Sequence, residues 1–344
     1  MLELNLPEVQ FALQAVEQAC RLVRQVQAEL ASQALTKDDR SPVTVADFAA
    51  QALVAQRLEQ MLPGEALVAE ENSQALQAPT GQAAPTGQDT LRRVSGYVQQ
   101  FISGATRQQV CAWIDLGAGL PEGRFWVLDP IDGTKGFLRG GQYAVALALV
   151  EQGQVQLGVL GCPALQAGCK QDANGAGSLV AAQRSRGTWC AALRGGFASG
   201  VFNAAEFTRL HVSEQRRPEQ ARLLRSYEAA HTNTGKIDSL VQRLAIQAEP
   251  VRLDSQAKYA ILAAGCGEAM LRLPPDDNPG YREKIWDQAA GALVVEEAGG
   301  SISDIHGRAL DFTAGRTLQR NRGVLASNGF LHAALLDALA ALGA

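Results

Sequence analysis

Hydrophobic positions form two kinds of pattern along this chain: a helical repeat near the N-terminus and short apolar runs in the middle. Near the N-terminus the apolar positions recur about every three to four residues. They are Val9, Leu13, Val16, Cys20, Val23 and Leu30. This spacing predicts one long helix over about residues 7–35, and a second helix is predicted over about residues 48–61.

Short apolar runs bounded by glycine and polar residues predict strands in the middle of the chain. Residues 143–150 and 154–161 form a predicted hairpin joined at Glu151-Gln152-Gly153. Further strands are expected over about residues 177–182 and 187–193. These elements predict an α+β region with an antiparallel sheet.

From about residue 206 the pattern alternates between strands and helices. The predicted strands are 221–226, 250–253 and 269–273, and the predicted helices are 236–244 and 256–264. This alternation predicts a smaller α/β unit. We therefore divide the chain into an α+β domain over residues 1–205 and an α/β domain over residues 206–344.

Composition limits the classes of protein to consider. The 344 residues are 47% apolar and 19% charged, which is typical of a globular protein. A net charge of −4 argues against non-specific nucleic-acid binding. The absence of a long uninterrupted apolar run argues against a transmembrane helix, and the first residues lack the basic start of a signal peptide. We expect a cytoplasmic protein with no nucleic-acid, membrane or protein partner.

The cysteines and histidines do not form a recognisable metal motif. The six cysteines include no Cys-x-x-Cys pair, and the four histidines are scattered. We therefore expect no zinc site, and we expect reduced, buried cysteines. Residues 74–89 contain a near-repeat of Ala-Pro-Thr-Gly-Gln, which predicts a mobile surface linker, with a lid as the alternative.

The segment from Trp126 to Thr134 contains the most informative chemistry. Asp129 and Asp132 follow a predicted buried strand, and Gly133 permits a sharp turn after them. Thr134 is expected to open a helix, whose first N–H groups face outward. Two carboxylates beside an anion-binding helix start are typical of a magnesium-dependent phosphate site. An ordinary surface turn is the alternative for this segment alone.

Three further acidic stretches strengthen the chemical interpretation. Glu70 and Glu71 follow a short apolar run, Asp47 precedes the second predicted helix, and Asp287 begins a helix of small residues. Each has a structural alternative. The glutamates could lie in a solvated loop, Asp47 could cap its helix, and Asp287 could be favoured there by the helix dipole.

Taken together, these stretches resemble the magnesium-dependent, lithium-sensitive phosphomonoesterases of the inositol monophosphatase and fructose-1,6-bisphosphatase superfamily. The motifs that carry the resemblance are Asp-Pro-Ile-Asp-Gly-Thr at 129–134, Trp-Asp-Gln-Ala-Ala-Gly at 286–291 and the upstream Glu-Glu pair. The resemblance extends from about Ser41 to about Asn328. It implies a layered α-β-α-β-α sandwich with an antiparallel N-terminal sheet and a smaller, mixed C-terminal sheet.

Within this superfamily the chain looks most like the 3′(2′),5′-bisphosphate nucleotidases. The supporting segments are residues 41–47, 253–259, 271–274 and 281–287, together with the 58 residues between Glu70 and Asp129. The resemblance implies hydrolysis of 3′-phosphoadenosine 5′-phosphate to AMP and phosphate, and also action on the sulfated parent nucleotide. The alternatives are a phosphatase for inositol phosphates or another sugar phosphate, and a non-catalytic nucleotide or metal sensor.

The resemblance also implies a set of magnesium ligands. Glu70, Asp129 and the Ile131 carbonyl would hold a first ion, and Asp129, Asp132 and Asp287 a second. A third, weaker ion near Glu70 is typical of the family, so two or three Mg²⁺ ions are expected.

For catalysis, the resemblance implies that Asp47 hydrogen-bonds Thr134, which orients the attacking water, with Glu70 also counted as catalytic. The N–H groups of Gly133 and Thr134 would contact the scissile phosphate. The leaving oxygen would be protonated near Asp287, which is therefore also a substrate-binding residue.

The nucleotide contacts implied by the resemblance lie in the second half of the chain. They are His231, Ser255, Lys258 and Arg272, of which the lysine and arginine suit a second phosphate. The alternatives are a solvated helix residue for Lys258 and a loop or packing residue for His231. Gln288 departs from the family, in which a histidine commonly follows the Trp-Asp pair.

Overall fold

The computed structural model describes residues 1–32, 41–77, 87–194, 201–227 and 232–343. The helices are α1 (Pro7–Ser32), α2 (Ser41–Met61), α3 (Gln74–Gln77), α4 (Gly87–Gln99), α5 (Arg107–Asp115), α6 (Thr134–Leu138), α7 (Thr234–Arg243), α8 (Ala257–Ala263), α9 (Ala289–Glu297) and α10 (His332–Ala341). The strands are β1 (Ala66–Ala69), β2 (Arg124–Asp132), β3 (Ala144–Glu151), β4 (Gln154–Cys162), β5 (Leu165–Gln166), β6 (Lys170–Gln171), β7 (Ser178–Gln183), β8 (Gly187–Ala192), β9 (Thr208–Leu210), β10 (Leu223–Arg225), β11 (Val251–Arg252), β12 (Ala269–Arg272), β13 (Ser301–Ser303) and β14 (Val324–Ser327).

The strands form two main sheets of different character. The larger sheet has the order β1-β2-β3-β4-β7-β8-β9 and is antiparallel except for the parallel pair of β1 and β2. The smaller sheet has the order β11-β10-β12-β14-β13 and is mixed, with β10 parallel to both of its neighbours. The predicted pair of sheets is confirmed. The division after residue 205 stays a prediction, and β9 of the larger sheet lies beyond it.

The period-two pattern of β3 explains how the layers stack. Val145, Leu147 and Leu149 belong to a core shared with α1 and α2. Ala144 and Ala146 alternate with them and belong to a second core shared with α8 and α9. Because successive side chains point to opposite faces, one strand serves both cores. The small sheet packs its other face against α7 and α10, which completes the α-β-α-β-α sandwich.

The central helical layer depends on small residues. Helix α9 is buried along most of its length between the two sheets. A Cβ atom at Gly291 would overlap the ring of Tyr259 in α8. Glycine therefore permits the close approach of α8 and α9, and α8 follows directly after the Ser255 segment.

Several local expectations need correction. Helix α2 begins at Ser41 rather than near residue 48, because a proline is tolerated in a first helical turn, where N–H groups have no helical partner. Asp47 therefore lies inside the helix and is not its N-cap. Residues 74–77 and 87–89 are helical, and the rest of the predicted linker lies outside the described residues.

The cysteines also differ in part from the prediction. Cys20, Cys111, Cys162 and Cys190 are free and buried, as expected. Cys169 and Cys266 form a disulfide, so the expectation that all six are reduced is wrong. The two residues are 97 positions apart, and only the tertiary fold brings their Cα atoms to 6.0 Å. Within the described ranges, no helix has both the length and the apolar character needed to cross a membrane.

Candidate active site

The parallel pairing of β1 and β2 brings the first two acidic motifs together. Ala69 pairs with Leu128, so the next residues lie side by side, with Glu70 just past the end of β1 and Asp129 still within β2. Parallel strands end at the same edge, and this register places both carboxylates there. The sequence located each carboxylate at a strand end, but only the pairing makes them neighbours.

The turn after Asp129 has the predicted form. The ladder of β2 is irregular between Asp129 and Asp132, and Asp129 Oδ1 accepts a hydrogen bond from the Ile131 N–H at 3.1 Å. Gly133 has a φ of +89° and serves as the N-cap of α6, which begins at Thr134. A side chain at Gly133 would be strained by this backbone conformation, so the glycine is required here.

The second half of the chain docks directly onto this turn. A Cβ atom at Gly133 would lie 2.7 Å from Ser255 Cβ, which shows how closely the two backbones approach. The Gln256 N–H donates to Asp132 Oδ2 at 2.6 Å, and Arg139 pairs with Asp254. Asp254 and Gln256 had no predicted role, although both lie within the segment 253–259 that carried the resemblance.

The acidic residues interact strongly with one another. Asp129 is only 2% exposed, and burial raises its pKa well above the ordinary value. Repulsion from Glu70, Asp132, Asp287 and Asp47 raises it further. Carboxylates from four separate segments therefore share one low-dielectric region.

The other members of this carboxylate cluster are affected similarly. Glu70 lies at the open side of the cluster, and desolvation, followed by repulsion from Glu71 and Asp132, raises its pKa to about 7. Burial raises the pKa of Asp47, with Glu71 and Glu70 adding to the effect. Burial also raises the pKa of Asp287, and the nearby Arg272 partly opposes it.

The donor chemistry of this cluster fits a hard divalent cation. Carboxylate and carbonyl oxygens are the ligands that Mg²⁺ prefers, and a cation would relieve the repulsion that raises these pKa values. In the described part of the chain, no three acidic, histidine or cysteine side chains converge as a finished ligand set.

Lys258 and Arg272 form the basic side of the site. Lys258 is only 4% exposed, so its interpretation as a solvated helix residue is wrong. Its Nζ donates to Ser226 Oγ at 3.0 Å. Burial and the neighbouring Arg272 lower its pKa to about 8, although Asp132 and Asp254 oppose the shift.

Arg272 is held between acidic partners. Its Nη2 lies 2.7 Å from Glu283 Oε2 and 3.7 Å from Asp287 Oδ2. Gln288, where the family commonly has histidine, donates from Nε2 to Glu283 Oε2 at 3.0 Å and accepts a hydrogen bond from the Tyr259 hydroxyl. Glutamine thus supports the acidic partner of Arg272 through a neutral amide, which cannot titrate near neutral pH.

Three predicted roles need separate comment. The Thr134 hydroxyl donates to the Ile131 carbonyl at 3.5 Å, and its bond to Asp47 stays a prediction. Gln288 is the N-cap of α9, so Asp287 does not cap this helix. The Asp287 carboxylate lies near Arg272 instead. His231 lies outside the described residues.

Comparisons with known proteins agree with this architecture. The model of the inositol monophosphatase family matches residues 5–344. A 3′(2′),5′-bisphosphate nucleotidase of Schizosaccharomyces pombe is 38% identical over 97% of this chain and 95% of the relative. One from Oryza sativa is 41% identical over 96% and 93%.

Solved structures support the fold. The IMPase of Thermotoga maritima gives a TM-score of 0.60 at 19% identity, covering 98% of each chain. An inositol monophosphatase from Zymomonas mobilis gives a TM-score of 0.61 at 20% identity, covering 96% of this chain and 97% of that one. The predicted resemblance and fold class are confirmed, and the chain belongs to the inositol monophosphatase family.

Proposed function

We propose that this protein hydrolyses the 3′-phosphate of 3′-phosphoadenosine 5′-phosphate, giving AMP and phosphate. Its nearly full-length similarity to nucleotidases makes the chain a phosphatase-class hydrolase. The observation that supports the specific substrate is the placement of the buried Lys258 and the partly buried Arg272 beside the carboxylate cluster. One phosphate of a bisphosphate would bind beside the carboxylate cluster, and the other would bind to Lys258 and Arg272. Action on the sulfated parent nucleotide belongs to the same proposal.

Glu70, Asp129, the Ile131 carbonyl, Asp132 and Asp287 would hold the magnesium ions, two or three in number. When bound, magnesium would neutralise phosphoryl charge and favour ionisation of the attacking water. The raised pKa values of these carboxylates support this assignment, since burial of so many acidic groups favours a site for cations.

The reaction forms a bond from the water oxygen to phosphorus and breaks the bond from phosphorus to the 3′-oxygen. Thr134 would orient the water and take up its proton as Asp47 accepts the proton of the Thr134 hydroxyl. Burial raises the pKa of Asp47, which makes it a better proton acceptor. The N–H groups of Gly133 and Thr134 would bind the scissile phosphate, and the 3′-oxygen would gain its proton on the Asp287 side.

Recognition of the 5′-phosphate would fall to the basic side of the site. Lys258 would supply a compact positive charge, and Arg272 would contribute a planar group able to donate two hydrogen bonds. Ser255 lies against Gly133, which would bring the nucleotide contacts close to the scissile phosphate. His231 stays a predicted contact to the adenosine.

Phosphate release tests this proposal. We would compare 3′-phosphoadenosine 5′-phosphate with inositol 1-phosphate, each with Mg²⁺, with Mg²⁺ and Li⁺, and with a chelator. A magnesium-dependent, lithium-sensitive preference for the nucleotide is expected. Preference for the inositol ester would instead indicate a sugar-phosphate phosphatase, and no release from either would favour a non-catalytic sensor.

The cytoplasmic location is also part of this proposal, because the expected substrate is a small soluble nucleotide. The Cys169–Cys266 disulfide gives a direct test, since such bonds rarely persist in a reducing compartment. Alkylation of free thiols in freshly lysed cells would reveal whether these two cysteines are reduced in place.

A further inference from the structure

The segment that carries Asp287 is held by a short strand-like contact with residues 316–318. The Ile285 N–H donates to the Arg316 carbonyl at 3.2 Å, and the Leu318 N–H donates to the Glu283 carbonyl at 2.8 Å. Lys284 and Thr317 form the bridge between these bonds. Arg316 therefore lies directly beside the segment that leads into Asp287.

The side chain of Arg316 leaves this contact and reaches the first half of the molecule. Its Nη1 donates to the Gly117 carbonyl at 3.1 Å, and its Nη2 donates to the Ala69 carbonyl. Ala69 is the last residue of β1 and immediately precedes Glu70. The guanidinium is thus bonded to the backbone from which one predicted magnesium ligand emerges.

The same guanidinium also contacts the residue before the other ligand. Its central carbon lies 4.9 Å from the centre of the Trp286 ring, and Trp286 is 6% exposed. Trp286 immediately precedes Asp287. Arginine suits this position because its planar group can stack on an aromatic ring while its edge donates to two carbonyls. Lysine offers a point charge and lacks this combined geometry.

We propose that Arg316 is a positioning residue that fixes the distance between Glu70 and Asp287 and thereby sets the affinity for Mg²⁺. The inference rests on the proposed function, because it concerns the same acidic ligands. Arg316 joins the backbone at Ala69, one residue before Glu70, to the segment of Ile285 and Trp286, which immediately precedes Asp287. Its loss would allow these carboxylates to separate.

The sign of the effect distinguishes positioning from simple electrostatics. Arg316 carries a positive charge near the carboxylate cluster, so removing that charge should by Coulomb's law strengthen the binding of a cation. Loss of positioning should weaken binding instead, because the ligands must then be ordered at the moment the ion binds. The two explanations predict changes of opposite direction.

The experiment is isothermal titration of Mg²⁺ into the wild-type protein and three variants. We expect Arg316→Met to raise the Kd for Mg²⁺ about tenfold, as for residues that support metal ligands. Arg316→Lys should fall between this variant and the wild type. Arg320→Met is the matched control, since it removes the same charge from the same loop, where Arg320 is 70% exposed and pairs with Asp311. Its Kd should match that of the wild type.

Kinetics supply a second test. The activity of Arg316→Met should approach the wild-type kcat as Mg²⁺ is raised, because positioning affects occupancy more than chemistry. A Kd for Arg316→Met equal to or below that of the wild type would overturn the inference. If that variant does not fold, Arg316→Lys decides, and an unchanged Kd would again overturn it. A wild-type protein that binds no Mg²⁺ would instead overturn the proposed function itself.

Discussion

The acidic and basic sides of the site satisfy their charges in different ways. Asp129 is buried and Asp287 is partly buried near other carboxylates, and desolvation followed by repulsion from these neighbours raises their pKa values. Arg272 instead has Glu283 as a close partner, and Lys258 donates to Ser226. Repulsion on the acidic side therefore lowers the stability of the folded protein but favours the binding of a cation. The basic side is already arranged for an anionic ligand, which reduces the ordering needed on binding.

The largest expected effect comes from changing the acidic side. Asp129→Asn should lower kcat about a thousandfold or more, because residues that act as a unit in catalysis lose most activity when one is removed. Its free energy of unfolding without magnesium should not fall, since a buried charge and its repulsion are both removed. Phosphate release and urea denaturation would measure the two quantities.

Asp337→Asn provides the control for this change, because Asp337 is exposed on α10 and lies outside the proposed site. It should leave kcat unchanged. Normal turnover by Asp129→Asn would show that this carboxylate is not an essential ligand.

The disulfide tests how firmly two distant segments of the chain are joined. Cys169 follows β5, and Cys266 follows α8, which begins beside the Ser255 segment. A native disulfide typically stabilises a fold by about 2–4 kcal/mol, so Cys266→Ser should lower the free energy of unfolding by that amount. Urea denaturation of oxidised protein would measure it.

The double variant Cys169→Ser/Cys266→Ser is the control for the disulfide. It should lose about as much stability as either single variant, because the same bond is lost once. Fully additive losses, or a wild-type midpoint unaffected by a reductant, would contradict a stabilising bond between these residues.

Changing the basic side should affect substrate recognition more than chemistry. Lys258→Met should raise the KM for 3′-phosphoadenosine 5′-phosphate about tenfold, the loss expected for one charged hydrogen bond. The KM for adenosine 3′-monophosphate, which lacks the second phosphate, should change much less. Steady-state kinetics with both substrates would separate the two effects.

Lys236→Met is the matched control for Lys258, since it removes a lysine from α7 in the outer helical layer. Equal increases in KM for the two substrates would show that Lys258 does not recognise the second phosphate.

The smallest expected effect is a dependence on pH. The lowered pKa of Lys258, about 8, means that the free enzyme loses this positive charge as the pH rises through that value. The KM for the bisphosphate should therefore rise severalfold between pH 7 and pH 9. In Lys258→Met this rise should disappear, and its persistence there would assign the titration to another group.

The sequence determined most elements from local pattern alone. The apolar runs of β3 and β4 and their turn were predicted within one or two residues, because apolar runs and turn chemistry are local properties. Helices α4 and α5 were missed, although Leu91, Val94 and Val98 repeat at helical spacing. The polar near-repeat that precedes α4 is typical of a linker.

The sequence also identified the acidic motifs, since their order of residues is specific to a family. Tertiary structure decided which carboxylates become neighbours, because the register of β1 against β2 involves residues far apart in the chain. It also decided the burial of Lys258, the disulfide and the contacts of Arg316. Local sequence specifies residue types and turns, whereas distances between distant segments follow from how the two sheets and the small-residue helix α9 pack together.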